Sequence, residues 1–186
     1  MKRFIMVVLS ALSWLFMNEP LMADSALYFT SSPTSWVGQG QTKLFDSPIT
    51  DFSTTRQVNA VGLVFDNQTD WYYLYLIGPD STQPTAGFYP NATRWPFNGS
   101  GPGLSFFGDG RGDNTLTGYF NILEAKYDTS GNVTSFAVDF MQYDEGVTAN
   151  WVSGSFRYNS SIPIPEPASA LLMIIGAALI RKKYGR

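Results

Sequence analysis

The stretch Leu116–Tyr143, LTGYFNILEAKYDTSGNVTSFAVDFMQY, decides the fold. In its first part Leu116, Gly118, Phe120 and Ile122 alternate with Thr117, Tyr119 and Asn121, a period of two that turns one set of side chains to a core. In its last part Phe136, Val138 and Phe140 share one side and Asp139 takes the other. Between them Asp128-Thr129-Ser130-Gly131-Asn132 supplies turn residues, with a glycine free to adopt positive φ. The spacing predicts a long antiparallel hairpin.

The same signature recurs on both sides. Val152, Gly154, Phe156 and Tyr158 alternate with Ser153, Ser155 and Arg157, as in a half-buried strand. VNAVGLVFDN (58–67) and WYYLYLIGP (71–79), joined by a polar bend from Asp66 to Asp70, read as a second hairpin. Prolines at 33, 48, 79, 84, 90, 96 and 102 punctuate the first half and then vanish until Pro163, so the long central strands belong in the second half. Strands separated by Gly, Pro, Asn and Ser turns predict an all-β domain over residues 24–160, an antiparallel β-sandwich or jelly roll.

A chain of 186 residues has room for one domain with a real core. Histidine and cysteine are both absent, which removes the commonest general base, the commonest metal ligand and the thiol nucleophile together. Between Asp24 and Pro165 eleven aspartates with Glu124 and Glu145 outnumber six bases, a net charge of -7. Such a domain repels phosphate backbones, so no nucleic-acid partner is expected.

The two ends differ from the middle. Lys2 and Arg3 precede an apolar stretch from Phe4 to Met17, then Asn18, Glu19 and Pro20, the layout of a secretory signal peptide over residues 1–23 with cleavage after Ala23 by signal peptidase. Residues 161–167 read as an exposed linker. The apolar run from Ala168 to Ile180 would make about 20 Å of helix against a hydrocarbon core of about 30 Å. Arg181, Lys182, Lys183 and Arg186 would hold the tail on the cytoplasmic side. A short helix that stalls in the inner membrane with the domain outside is the expectation.

Pro165-Glu166-Pro167, the short apolar helix and the terminal basic cluster, in that order, resemble the PEP-CTERM sorting signal of exported bacterial proteins. The resemblance implies processing by the membrane protease exosortase, a transient stay in the inner membrane, and delivery to the cell surface or an exopolysaccharide matrix. The physical logic parallels a GPI signal, a temporary anchor that presents a cleavage site and is then lost. GQGQT (38–42), YPNATRWPF (89–97), the stretch 101–125, GNVTSFAVDFMQYDEG (131–146) and GSFRYNS (154–160) also look like an exported bacterial β-domain of unassigned activity that accompanies such signals. That resemblance places cysteines where this chain has Asp113 and Asp144; if the family's cysteines pair, those two positions should be neighbours in space.

Several motifs were weighed for chemistry. In GDGRGDN (108–114) Asp109, Asp113 and Asn114 could contribute to a calcium site, with Asp144 joining if it lies beside Asp113, but the alternating acids and distal Glu of an EF-hand are missing. The embedded Arg-Gly-Asp tripeptide is common by chance in glycine-rich loops, and no Lys-Ser or Lys-Thr follows to make a phosphate cradle. Glu124 and Glu145 are the domain's only glutamates, and nothing in the acid spacing singles out a glycosidase pair. Trp36, Trp71, Trp95 and Trp151 could stack on sugars, Trp95 best because its loop offers the least core. Five Asn-X-Ser/Thr triplets read chiefly as turns. The expectation is a non-catalytic surface or matrix protein without cofactor; the alternatives are a carbohydrate-binding module for exopolysaccharide and a calcium-stabilised adhesin.

Overall fold

A computed structural model describes residues 24–46 and 48–164. The expected signal peptide with its cut after Ala23, the Pro165-Glu166-Pro167 motif, the apolar helix and the basic tail of Arg181, Lys182, Lys183 and Arg186 lie outside the described residues. Among the described residues no helix is long and apolar enough to cross a membrane.

The described chain is all-β. Its strands are β1 (Asp24–Ser31), β2 (Thr42–Asp46), β3 (Phe52–Gln57), β4 (Ala60–Asp66), β5 (Trp71–Ile77), β6 (Gly87–Arg94), β7 (Gly103–Gly108), β8 (Leu116–Tyr127), β9 (Val133–Asp144) and β10 (Trp151–Ser160). They hydrogen-bond into one sheet in the order β2-β1-β10-β9-β8-β6-β7-β5-β4-β3. The two longest strands, β8 and β9 at 12 residues each, sit at its centre and pair antiparallel as the opening stretch requires. Their turn closes as expected: Asp128 N–H donates to Asn132 O at 2.9 Å, and Gly131, at φ +81°, donates to Asp128 O at 3.0 Å. The β4–β5 hairpin and β10 also stand where their alternation places them. In the bend between β4 and β5, Asn67 Oδ1 accepts from the Thr69 and Asp70 amides, the turn role read for such triplets.

Two expectations need correction. The strands form one curled sheet, not two, and the sheet is mixed: Thr93 and Arg94 of β6 run parallel to Gly103 and Leu104 of β7. Pro96 and Pro102 deny the segment between these strands the amides of a hairpin ladder. It turns twice, with Phe97 N–H donating to Arg94 O and Gly101 N–H to Asn98 O, and β7 leaves in the direction of β6.

Curling brings the two arms of the sheet face to face across an aromatic core. Phe29 of β1 lies 4.9 Å from Tyr72 of β5 and 5.4 Å from Phe106 of β7, measured between ring centroids. Phe106 in turn meets Phe140 of β9 at 4.8 Å. Near the two edges, Phe45 of β2 stacks on Phe65 at 4.2 Å and Phe52 of β3 meets Phe156 edge-on at 5.9 Å. These rings are buried, Phe45 in part, and area burial plus the edge and offset geometries make them the main cohesive contribution.

On the outer face of β10 the linker is tied down rather than free. Arg157, 2 % exposed, pairs with Asp139 at 2.8 Å and donates to the carbonyls of Val138, Ile162 and Pro163. Its two bonds on the linker side end three and two residues before the Pro-Glu-Pro motif.

The glycine in the apolar face of β8 has a steric reason. A Cβ on Gly118 would stand 2.1 Å from Met141 O and 3.0 Å from Leu104 Cδ2. Gly118→Ala is therefore expected to destabilise the domain by about 3 kcal/mol through forced separation of β8 and β9. Urea unfolding monitored by tryptophan fluorescence checks this; an unchanged midpoint contradicts the close approach.

Candidate functional site

Because Tyr72, Leu74 and Leu76 point into the core, Trp71, Tyr73 and Tyr75 of β5 fall on the outer face. On the neighbouring strand Phe107 stands directly opposite Tyr73 in register, and Ser105 opposite Tyr75. The outward rings stack into a ladder. Tyr73 lies on Phe107 at 5.3 Å with planes 5° apart, Tyr75 on Trp95 at 4.4 Å and 18°, and Trp71 meets Tyr73 edge-on at 5.7 Å. Gly62 of β4, opposite Tyr75, makes room: a Cβ there would be 2.7 Å from the Tyr75 ring. Trp95 is fixed by its own amide, which donates to Leu104 O at 3.0 Å.

Beside the ladder opens a cleft of about 370 Å³, with Trp95, Pro96 and Phe107 as its apolar wall and Arg94, Ser105 and Asn114 as polar groups. Asp113 lines its floor. Half-buried aromatic rings next to a few convergent polar groups are the ordinary composition of a small-molecule or saccharide subsite.

Under the floor, Asp113 and Asp144 are neighbours close enough for the charge of one to act on the other, as the resemblance implied for those two positions, and Gln142, two residues before Asp144 on the same side of β9, bonds to Asp113. Both are buried, at 8 % and 1 % exposure. Asp144 Oδ2 accepts from Ser35 Oγ at 2.6 Å, from Trp36 N–H at 2.7 Å and from Val37 N–H at 3.3 Å. Asp113 Oδ2 accepts from Gln142 Nε2 at 2.9 Å; Gln142 also holds the Phe106 amide and carbonyl. The two remaining oxygens, Asp113 Oδ1 and Asp144 Oδ1, are buried with no hydrogen-bond partner. A buried carboxylate pair cannot carry two charges at little cost, and one proton between the orphaned oxygens satisfies both. Burial and then the Asp144 charge push the Asp113 carboxyl up to about 8.

The calcium trio does not assemble. Asp109 faces another network, in which Tyr72 Oη donates to it at 2.6 Å, the Trp71 amide at 2.9 Å and Lys43 Nζ at 3.3 Å. Burial works against the Asp109 charge, but these donors outweigh it and hold the carboxyl below its usual range. Among the described residues no group of three acidic side chains is arranged to hold a metal ion. Asp113 of the Arg-Gly-Asp tripeptide is buried rather than displayed, while Arg111 donates to the Val37 and Asp109 carbonyls. Glu145, beside the row of Leu116 and Asp144, accepts from the Asn114 amide and Thr115 Oγ1; Glu124 lies eight residues further along β8, about 27 Å away, too far for a glycosidase pair.

Of the four tryptophans, Trp95 and Trp71 join the ladder; Trp36 is 58 % exposed in the loop after β1, and Trp151 opens β10. Sequence reasoning reached Trp95 but not Tyr73, Tyr75 and Phe107, whose signal was the aromatic alternation of β5. Comparison of the chain with family models, with curated proteins and with solved structures finds no match.

The carboxylate pair sets a pH dependence. Between the unfolded value of about 3.9 and the folded value of about 8, the native state holds a proton on Asp113 that the unfolded chain releases, so stability falls as pH rises through that window. Melting of the released protein is expected to drop by several degrees from pH 5 to pH 8.5, and Asp113→Asn is expected to flatten that slope. An equal slope in the variant places the proton elsewhere.

Proposed function

We propose that the protein is an exported surface or matrix protein, non-catalytic, whose β domain holds exopolysaccharide in the aromatic cleft. The observation that carries the binding half is the stacked ladder of Tyr73, Phe107, Tyr75 and Trp95 bordering the cleft. Sugar rings present apolar C–H faces that pack on flat aromatic surfaces, and Arg94, Ser105 and Asn114 stand ready for hydroxyls. A continuous polymer reaching from the cleft along β5 would meet further rings at Tyr73 and Trp71.

Export rests on the two ends of the sequence, and the fold is compatible with it. Asp24, the first residue after the expected signal-peptide cut, pairs with Ser160, the last residue before the linker. Both terminal segments therefore leave the domain from one place. A signal peptide and a tail anchor inserted in the same membrane would hold the domain by that end of β1 and β10.

Two measurements test this reading. Trp95→Ala is expected to weaken binding to beads carrying the producing cell's exopolysaccharide about tenfold, from loss of a stacking contact; undiminished binding removes the cleft from the account. Intact-mass measurement of protein released from the cell surface is expected to show a chain that begins at Asp24 and lacks Ile180. A released protein that retains Ile180 contradicts removal of the tail.

A further inference from the structure

The floor of the cleft is the place where its ligand-binding face meets a buried titratable pair. Asp113 contributes to both: it lines the cleft, and it is the neighbour of Asp144, each with one buried oxygen that has no hydrogen-bond partner. We propose that Asp113 and Asp144 hold one proton between their orphaned Oδ1 atoms and thereby gate the cleft: with the proton shared Asp113 stays folded into the floor, and without it Asp113 swings out and carries its charge against Trp95. This rests on the saccharide reading of the cleft, whose regulation it describes.

The asymmetry of the pair decides which partner moves. Asp144 accepts three hydrogen bonds on Oδ2 from the loop after β1 and is 1 % exposed, so protein donors hold one side of its carboxylate in place. Asp113 has one such bond, from the Gln142 amide, and borders open space. Loss of the proton leaves two buried charges side by side, and the one with fewer donors and a path to water leaves.

The surrounding charges favour the same outcome. Glu145, at the end of β9, adds a further negative charge near Asp113, and Gln142 is neutral. Arg94, across the cleft, is the basic group lining it and offers the displaced carboxylate a destination beside Trp95. Asp109, four residues earlier in the chain, is already committed to Lys43 and Tyr72. With Asp113 in the open, the Trp95 wall and the polar groups no longer face an empty, locally neutral floor.

The test uses isotope-labelled protein released from cells and oligosaccharides cut from the producing cell's own exopolysaccharide. In the absence of sugar, the Asp113 carboxyl carbon is expected to titrate near pH 8, and the Trp95 indole N–H resonance to shift with the same midpoint. With sugar, affinity is expected to fall about tenfold from pH 6 to pH 9, because only about a tenth of the molecules then hold the shared proton. In Asp113→Asn the ratio of affinities at the two pH values is expected to be about 1. Asp144→Asn, which leaves Asp113 without its charged neighbour, is expected to move the Asp113 midpoint toward 4.

An Asp113 carboxyl that titrates near 4 in the unaltered protein, or a Trp95 resonance that ignores it, overturns the gate whatever the sugar does. Affinity that is equal at pH 6 and pH 9 also overturns it. If no oligosaccharide binds at any pH while the two resonances titrate together, the saccharide reading fails and the proton-driven movement stands.

Discussion

Tyr72 must point inward. Its ring lies between Phe29 and Phe106, at 4.9 and 5.6 Å, where the two arms of the curled sheet meet, and with it turned to solvent the core would lose the contact that closes it. Side chains of a strand alternate without exception, so fixing Tyr72 fixes Trp71, Tyr73 and Tyr75 on the opposite face. A slip of one residue would exchange the two sets and place Leu74 and Leu76 in water. The outer ladder is thus a consequence of the core, and the register with β7 adds Phe107 to it. Lys43 secures the same junction from the edge strand, donating to Asp70 at 2.6 Å and to Tyr72 Oη at 2.9 Å.

The parts of the fold that could be read from sequence are those whose physics is local. β8, β9 and β10 each carry an alternating stretch of five to seven residues within a strand of ten or twelve, and the 128–132 turn carries its own glycine and Asx chemistry. β2 and β6 could not be read that way: Thr42–Asp46 has no buried residue, and Gly87–Arg94 contains Pro90 at a register shift. Their pairing comes from partners distant in the chain. The parallel contact between β6 and β7 likewise depends on how residues 95–102 fold back, which no periodicity encodes.

For the site, Trp95 was legible as a tryptophan in a proline-bounded loop, whereas the ladder needed the β5–β7 register and the cleft needed the position of the Arg94–Pro96 turn above β7. The carboxylate pair is the opposite case. Only the resemblance to a domain with cysteines there joins Asp113 to Asp144 in the sequence, and the fold makes the two carboxyls buried neighbours. Through Asp144, which also holds the loop after β1, the proposed shared proton joins the 109–115 loop to the end of β9, the two segments that a covalent link at those positions would fasten. Unlike a covalent link, it depends on pH. In a domain of net charge -7, keeping one carboxyl neutral also relieves repulsion between neighbouring acids beside the cleft.

The proposed binding mode lays sugar on the Trp95 and Phe107 rings beside Asp113. Chemical-shift mapping at pH 6 with oligosaccharides from the matrix polymer tests it most directly. Perturbations are predicted at the Trp95 indole and the Phe107 and Tyr73 rings, with neighbouring changes at Arg94 and Asn114. A footprint centred instead on the exposed Phe88 and Tyr119 of the β6–β8 face, or no footprint, would contradict it.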